Sequence, residues 1–397
     1  MKLLRWRDPI GRYYFFRGLL GRVYLPIIVI YMLDRGLSVG QVALISTIAA
    51  AASFIFEVPS GAIADHLGHR RALIVSVCGQ ALAALSYLGG TFPWILIGSV
   101  GYMVAGSLMT GTREALFFEY LKSQKRETEH LKLSGEGKSF SRIFNVVSVA
   151  LGGLTYTIHP FLPFIICSVQ YLLAALVIST FPAPKRRTSV EKTEGFLALL
   201  QHFPSAIKNI WREPRLFWLM AVNAMVIGVT FSMADFGQII FQNLGATTAF
   251  IGGVYVLKRL LAILMSSRVH YLAKYLKPAQ LMTVESLIGL SHYLLIPVVG
   301  SPVALAIVSL LATVVYVTLE IASNDYMNQL IDGRSRATTL SVSNFTRGFV
   351  TIVTSATFGL LSLTITPEYV FALIGIAQII ILIFPLIKLS RAYARAA

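Results

Sequence analysis

The stretch Val58–Leu73, VPSGAIADHLGHRRAL, packs one Asp, two His and two Arg between long apolar runs. Apolar residues lead into it through residues 39–57 and resume after it through residue 91. Of the 397 residues, 56% are hydrophobic and 13% charged. That is roughly half the charged share of an ordinary globular domain. The apolar residues come in blocks and do not alternate at helix or strand period. Leu25–Leu33 (LPIIVIYML) and Phe371–Ile387 (FALIGIAQIIILIFPLI) are apolar on every face. Runs of about 20 such residues match the hydrocarbon core of a bilayer. The chain therefore reads as a polytopic membrane protein, and the charged stretch as one of its loops.

Twelve spans follow from the blocks: 12–33, 39–60, 72–91, 94–117, 141–159 and 162–181, then 216–242, 248–270, 279–299, 302–326, 338–363 and 368–389. Open sheets cannot cross lipid, so all are expected to be helices. The breaks after odd-numbered spans are short and hold one Lys or Arg, Arg35. The opposite breaks and both termini hold most of the rest, including Lys122, Lys125, Arg126, Lys132, Lys138, Arg391 and Arg395. Basic short loops stay in the cytoplasm, which places both termini inside, in an inner (cytoplasmic) membrane. The net charge of +16 is thereby explained by loop placement, and nucleic acid is not expected as a partner. The first apolar block is too long for the h-region of a cleavable signal. Cys78 and Cys167 fall inside apolar runs and read as small core residues.

The longest polar break divides the chain. It begins PAPKRRTSVEKTE, a linker composition, and continues GFLALLQHFPSAIKNIWREP, with apolar residues at helical spacing and Trp211 near its end. This predicts an amphipathic helix lying on the membrane surface. The expected organisation is an N-terminal six-helix bundle (1–182), a cytoplasmic linker with that helix (183–215) and a C-terminal six-helix bundle (216–397).

Within the opening stretch the spacing is Gly61-x-x-x-Asp65-x-x-Gly68-x-Arg70-Arg71. Gly61 would permit close helix packing and Gly68 a tight turn. Asp65 would accept from N–H groups at a helix start, and the arginines would pair with a carboxylate or lipid phosphate. The pattern resembles the loop signature of the major facilitator superfamily, G-x-L-A-D-x-x-G-R-[RK]. It keeps Ala64 and has His69 where Arg is commonest. Its place between spans 2 and 3 of a six-plus-six layout extends the resemblance to the whole chain. EVPSG, SLMTGTREALFFEYL and RATTLSVSNFTRG are similar to segments of bacterial members.

The resemblance implies an all-α membrane fold of two pseudo-symmetric six-helix bundles, and secondary active transport by alternating access. It also implies a cytoplasmic latch of Gly61, Asp65, Gly68, Arg70, Arg71 and Glu119. In it Asp65 faces the start of span 11 near Ser335–Thr339, and Glu119 pairs with a loop Arg. The corresponding segment of the second half, SSRVHYLAKYLKP, has Ser267, Tyr271 and Lys274 at the Gly, Asp and Gly positions. Span 5 has Gly152 and Gly153 but lacks the proline of the antiporter signature.

Other chemistry is excluded. LSGEGKSF is similar to a phosphate loop, but Lys132 stands at the required Gly and no strand precedes it. No nucleotide, and so no ATP-driven pumping, is expected. His66, His69 and His130 lack ligand spacing, which argues against a metal. No nucleophile and base occur in a supporting context, so the chain is not expected to be an enzyme.

Ionisable groups inside spans are costly and mark function by default. Arg22, Glu57, Asp235, Lys258, Arg259 and Glu320 are the candidates for a substrate or proton cavity, with Glu285 and Arg347 also inside spans. Either these groups pair between helices, as Arg22 would with Asp235 or Glu57, or they line the cavity. Lining it, Arg22, Lys258 and Arg259 make it cationic, and Glu57, Asp235 or Glu320 could carry a coupling proton. The expected function is transport of a small organic solute, by proton-coupled efflux of an amphiphilic compound. The alternative is an anionic metabolite or lipid-like molecule. No cofactor beyond the coupling H+ is expected; the partners are the solute and membrane lipids, and the carrier is a monomer.

Overall fold

A computed structural model describes residues 8–182, 208, 210–266, 268, 269, 271, 275, 277–331 and 336–396. Their regular structure is entirely helical. The first eight α-helices are α1 (Pro9–Gly18), α2 (Ile28–Asp34), α3 (Val39–Leu67), α4 (His69–Ser86), α5 (Phe92–Ser107), α6 (Thr112–Ser123), α7 (His130–Ile158) and α8 (Leu162–Ser179). Six more follow: α9 (Pro214–Asn243), α10 (Thr248–Ser266), α11 (Pro278–Leu295), α12 (Pro302–Leu330), α13 (Arg336–Leu361) and α14 (Pro367–Ala396). The chain divides into two compact units, 1–35 with 48–197, and 36–47 with 198–397.

Four of the six short breaks start helices with proline in the first two positions, where its missing N–H costs nothing. Asp8 caps α1 by accepting from the Ile10 amide at 3.2 Å. Ser301 caps α12 by accepting from the Ala304 amide at 3.2 Å. The opening stretch is almost all helix, where a longer loop was expected. α3 continues through Pro59 to Leu67 and α4 begins at His69. The whole reversal falls on Gly68, at φ +84°, a conformation that side chains disfavour.

Nine helical stretches among the described residues are long and apolar enough to cross a membrane. The three other expected spans depart from that pattern. The first is interrupted, with α1 ending at Gly18 and α2 starting at Ile28. The fifth and eleventh, within α7 and α13, are long enough but carry more Ser, Thr, Asn and Arg. The fourth is also interrupted, at Leu108–Gly111 between α5 and α6. Of the linker, residues 183–207 and 209 lie outside the described residues, and with them most of the expected amphipathic helix; residues 208 and 210–212, near its end, are helical.

Candidate functional site

In the first unit the interruption of span 1 is built, not frayed. Its freed carbonyls are met by side chains: Gln170 of α8 donates to Leu19 O at 2.8 Å and to Gly21 O at 2.9 Å. Ser141 of α7 donates to Arg17 O at 3.0 Å. Irregular backbone at membrane depth survives only with such partners. Gly152 lets α7 approach: a Cβ there would overlap the Val23 carbonyl oxygen and come 3.0 Å from Pro26 Cγ. Gly61, expected to serve close packing, would meet nothing within 4 Å among the described residues.

Arg22 sits in this interruption. Its guanidinium carbon lies 4.7 Å from the Tyr24 ring centre and 4.5 Å from that of Tyr102. Tyr87 also takes a hydrogen bond from it. The rings are themselves fixed. Tyr24 stacks on Phe164 at 4.9 Å, the Tyr87 and Ser99 hydroxyls are 2.8 Å apart, and those of Tyr102 and Tyr171 are 3.2 Å apart. Arg22 and Tyr102 stay half-buried while Tyr24, Tyr87 and Tyr171 are buried. A cation is thus held at an irregular, half-open point of the bundle.

A second cluster lies toward the start of the chain. Arg17, buried, meets Glu114 at 3.2 Å, and Arg113 meets the same carboxylate at 3.2 Å. Arg17 also donates to the Tyr13 hydroxyl at 3.2 Å. This ties α1 to α6, the segments that flank the two interruptions.

Of the latch residues, Gly68 makes the turn and Asp65 is exposed on the last turn of α3. Glu119 meets His69 at 3.1 Å, where a loop Arg was expected. The reason is helical phase. His69 opens α4 and faces α6, and Arg70, about 100° further round, donates to the Phe181 carbonyl at 3.0 Å. Arg71 is exposed. Ser335, the expected start of Asp65's facing segment, lies outside the described residues.

The second unit brings its own charges together. Lys258 interacts with Asp235 and Arg259 and neighbours His292; its amine is 5.1 Å from the Tyr255 ring. Glu320 interacts with Arg347, which donates to Asn223 Oδ1 at 2.9 Å. Asn223, fully buried, donates to Ser323 Oγ at 2.5 Å. Arg259 and Tyr316 join the surroundings of Glu320 and Arg347. Glu285 is buried on α11, and Glu57 is exposed on α3. Gln170, Asn223, His292 and the tyrosines around Arg22 were not singled out from the sequence. Their signal was present: amide, imidazole and phenol groups inside apolar runs.

Helical spans, charges buried within them and an interrupted helix carrying a cation define a multi-pass membrane carrier. The chain belongs to the Major Facilitator Superfamily, whose family model matches residues 13–355. It is 19% identical over 373 residues to the uncharacterized MFS-type transporter YxaM of Bacillus subtilis (strain 168), covering 92% of this chain and 91% of that protein. Among solved structures it is similar to the nucleoside transporter NupG, with a TM-score of 0.77 at 11% identity over 96% of this chain and 98% of that one. It is similar also to a bacterial homologue of the human lysosomal transporter Spinster, inward-facing and unoccupied, with a TM-score of 0.70 at 16% identity over 97% and 94%. A third likeness is a POT family transporter in complex with 5-aminolevulinic acid, with a TM-score of 0.70 at 12% identity over 96% of each chain. The fold is the all-α fold of this superfamily, and the protein is a secondary transporter.

Proposed function

We propose that this transporter moves a small organic anion by alternating access, with Arg22 binding the anionic group. The observation that carries this is the Arg22 guanidinium over Tyr24 and Tyr102, at the interruption of span 1. Interrupted helices near the midplane are where secondary transporters form their solute sites. The planar, fixed charge of a guanidinium matches a carboxylate or phosphate. Tyr102, the half-buried ring of the two, supplies a flat wall for the body of the solute. Coupling falls to a proton on Glu320. Protonation there removes the charge opposing Arg347 and so changes how α12 meets α13. A thermal-shift titration tests the solute class with three compounds of one ring and different charge: phenylacetate, phenylacetamide and phenethylamine. Phenylacetate is expected to stabilise most, and equal responses to all three would sink the proposal.

The second reading is proton-coupled efflux of an amphiphilic compound. Glu57 supports it, as an exposed carboxylate beside the exposed Ile55 and Phe56. Under that reading phenethylamine is the strongest of the three.

The latch and the orientation belong to the same proposal. Asp65→Asn removes an anion whose interaction with a helix start is worth about 0.3–2 kcal/mol. Transport in proteoliposomes should fall severalfold at normal expression, with a smaller loss for Glu119→Gln. Undiminished transport by Asp65→Asn removes the latch role. For topology, single cysteines replacing the exposed Lys125, Thr91 and Thr247 in a background lacking Cys78 and Cys167 should label from two sides. Lys125 should react from the cytoplasm and the other two from outside. Lys125 and Thr247 reacting from one side breaks the topology.

A further inference from the structure

At the basic end of the second unit, α9 and α14 enclose a cavity of about 400 Å³ lined by Arg215, Trp218, Lys388, Arg391 and Arg395, with Glu213 the one acidic wall residue. Glu213 is held by Arg215, through Nε–Oε1 at 2.8 Å and Nη2–Oε2 at 3.0 Å. Lys388, Arg391 and Arg395 lie three and four residues apart and so share one face of α14. One turn before Lys388, Phe384 lies under the Lys388 amine at 5.3 Å and meets the Trp218 ring edge-on at 5.4 Å. Around it Ile380, Ile383 and Ile387 are exposed along the same helix.

Four cations against one engaged carboxylate fit a phosphate group. The apolar exposed flank below decides which phosphate. A soluble ion would use only the basic residues, whereas a phospholipid sets its headgroup among the cations and its chains along Phe384 and the isoleucines. The geometry points to a binding site for one anionic phospholipid between α9 and α14, separate from the Arg22 site. Basic pockets between spanning helices are suited to such headgroups.

Native mass spectrometry of the purified full-length protein tests the site, titrating dioleoylphosphatidylglycerol against dioleoylphosphatidylcholine, with inorganic phosphate as competitor. The wild type is expected to prefer phosphatidylglycerol. The Arg391→Gln/Arg395→Gln variant should bind it about 30-fold more weakly, at roughly 1 kcal/mol for each basic residue. Arg391→Lys/Arg395→Lys should stay within about threefold of wild type, since a headgroup reads charge more than fork geometry. Lys122→Gln/Lys125→Gln, in the other unit, should leave binding unchanged. Should the double Gln variant aggregate, Arg395→Gln alone, at the exposed end of α14, is expected to show about a fivefold loss. Equal binding of the two lipids by wild type, or unchanged phosphatidylglycerol binding by the Gln variants, overturns the site. Full displacement by millimolar phosphate assigns the cavity to a free ion and overturns the lipid claim.

Discussion

Arg22→Leu should leave a folded, monodisperse protein that no longer binds phenylacetate. The attraction between the guanidinium and the two tyrosine rings, which leucine cannot supply, is worth about 0.5–2 kcal/mol, a cost a packed bundle tolerates. Gln170 and Ser141, which hold the interruption open, are untouched by the change. The bound anion, by contrast, loses charged hydrogen bonds worth about 2–5 kcal/mol at a desolvated site, or at least about 30-fold in affinity. Arg22→Lys keeps the charge without the planar fork and should lose about tenfold. An Arg22→Leu protein that fails to fold would instead make Arg22 part of a structural pair. One that folds and binds phenylacetate normally would remove both roles.

Gly152→Ala should cost both stability and transport. The new methyl would overlap the Val23 carbonyl oxygen, and a backbone atom cannot rotate away as a side chain can. α7 must then move off residues 23–26, at an overpacking cost of about 1–3 kcal/mol or more. That shift displaces the segment next to Arg22, so binding of phenylacetate should fall along with the thermal midpoint. Gly253→Ala provides the control, because its Cβ would meet nothing within 4 Å. There alanine should be neutral or stabilising by up to about 1 kcal/mol through helix propensity. Equal midpoints for the two variants would refute the close approach of α7 to the interruption.

What the sequence disclosed and what it hid have a common cause. Lipid imposes long apolar runs and basic loops on one side, so spans, breaks and the Val58–Leu73 turn are visible in composition alone. The interruption of span 1 was not, because Leu19, Leu20, Val23 and Leu25 keep the run apolar on both sides of Arg22. Only Gly18, Gly21 and Pro26 hint at irregular backbone there. What satisfies it, Gln170, lies 151 positions beyond Leu19, which no local pattern announces. The same holds for Arg17, drawn to Glu114 across 97 positions. Glycine roles hide for a related reason: Gly61 stands in the fuller motif and would meet nothing within 4 Å among the described residues, yet the crossing that needs a missing Cβ is at Gly152. His69 took the pairing expected of an arginine because one residue on a helix turns the side chain by about 100°. The intramembrane charges were legible as a set. Which of them lie close enough to influence one another, Asp235 with Lys258 and Glu320 with Arg347, depends on which helices adjoin.

Solute counterflow in proteoliposomes tests the central claim most directly. Vesicles holding the wild-type protein and loaded with unlabelled phenylacetate should accumulate labelled phenylacetate transiently, and those holding Arg22→Leu should not. Loading with phenylacetamide or phenethylamine should drive no such exchange. Counterflow of labelled phenethylamine by wild type and by Arg22→Leu alike, with none of phenylacetate, would contradict an anion site at Arg22 and favour efflux of amphiphilic cations.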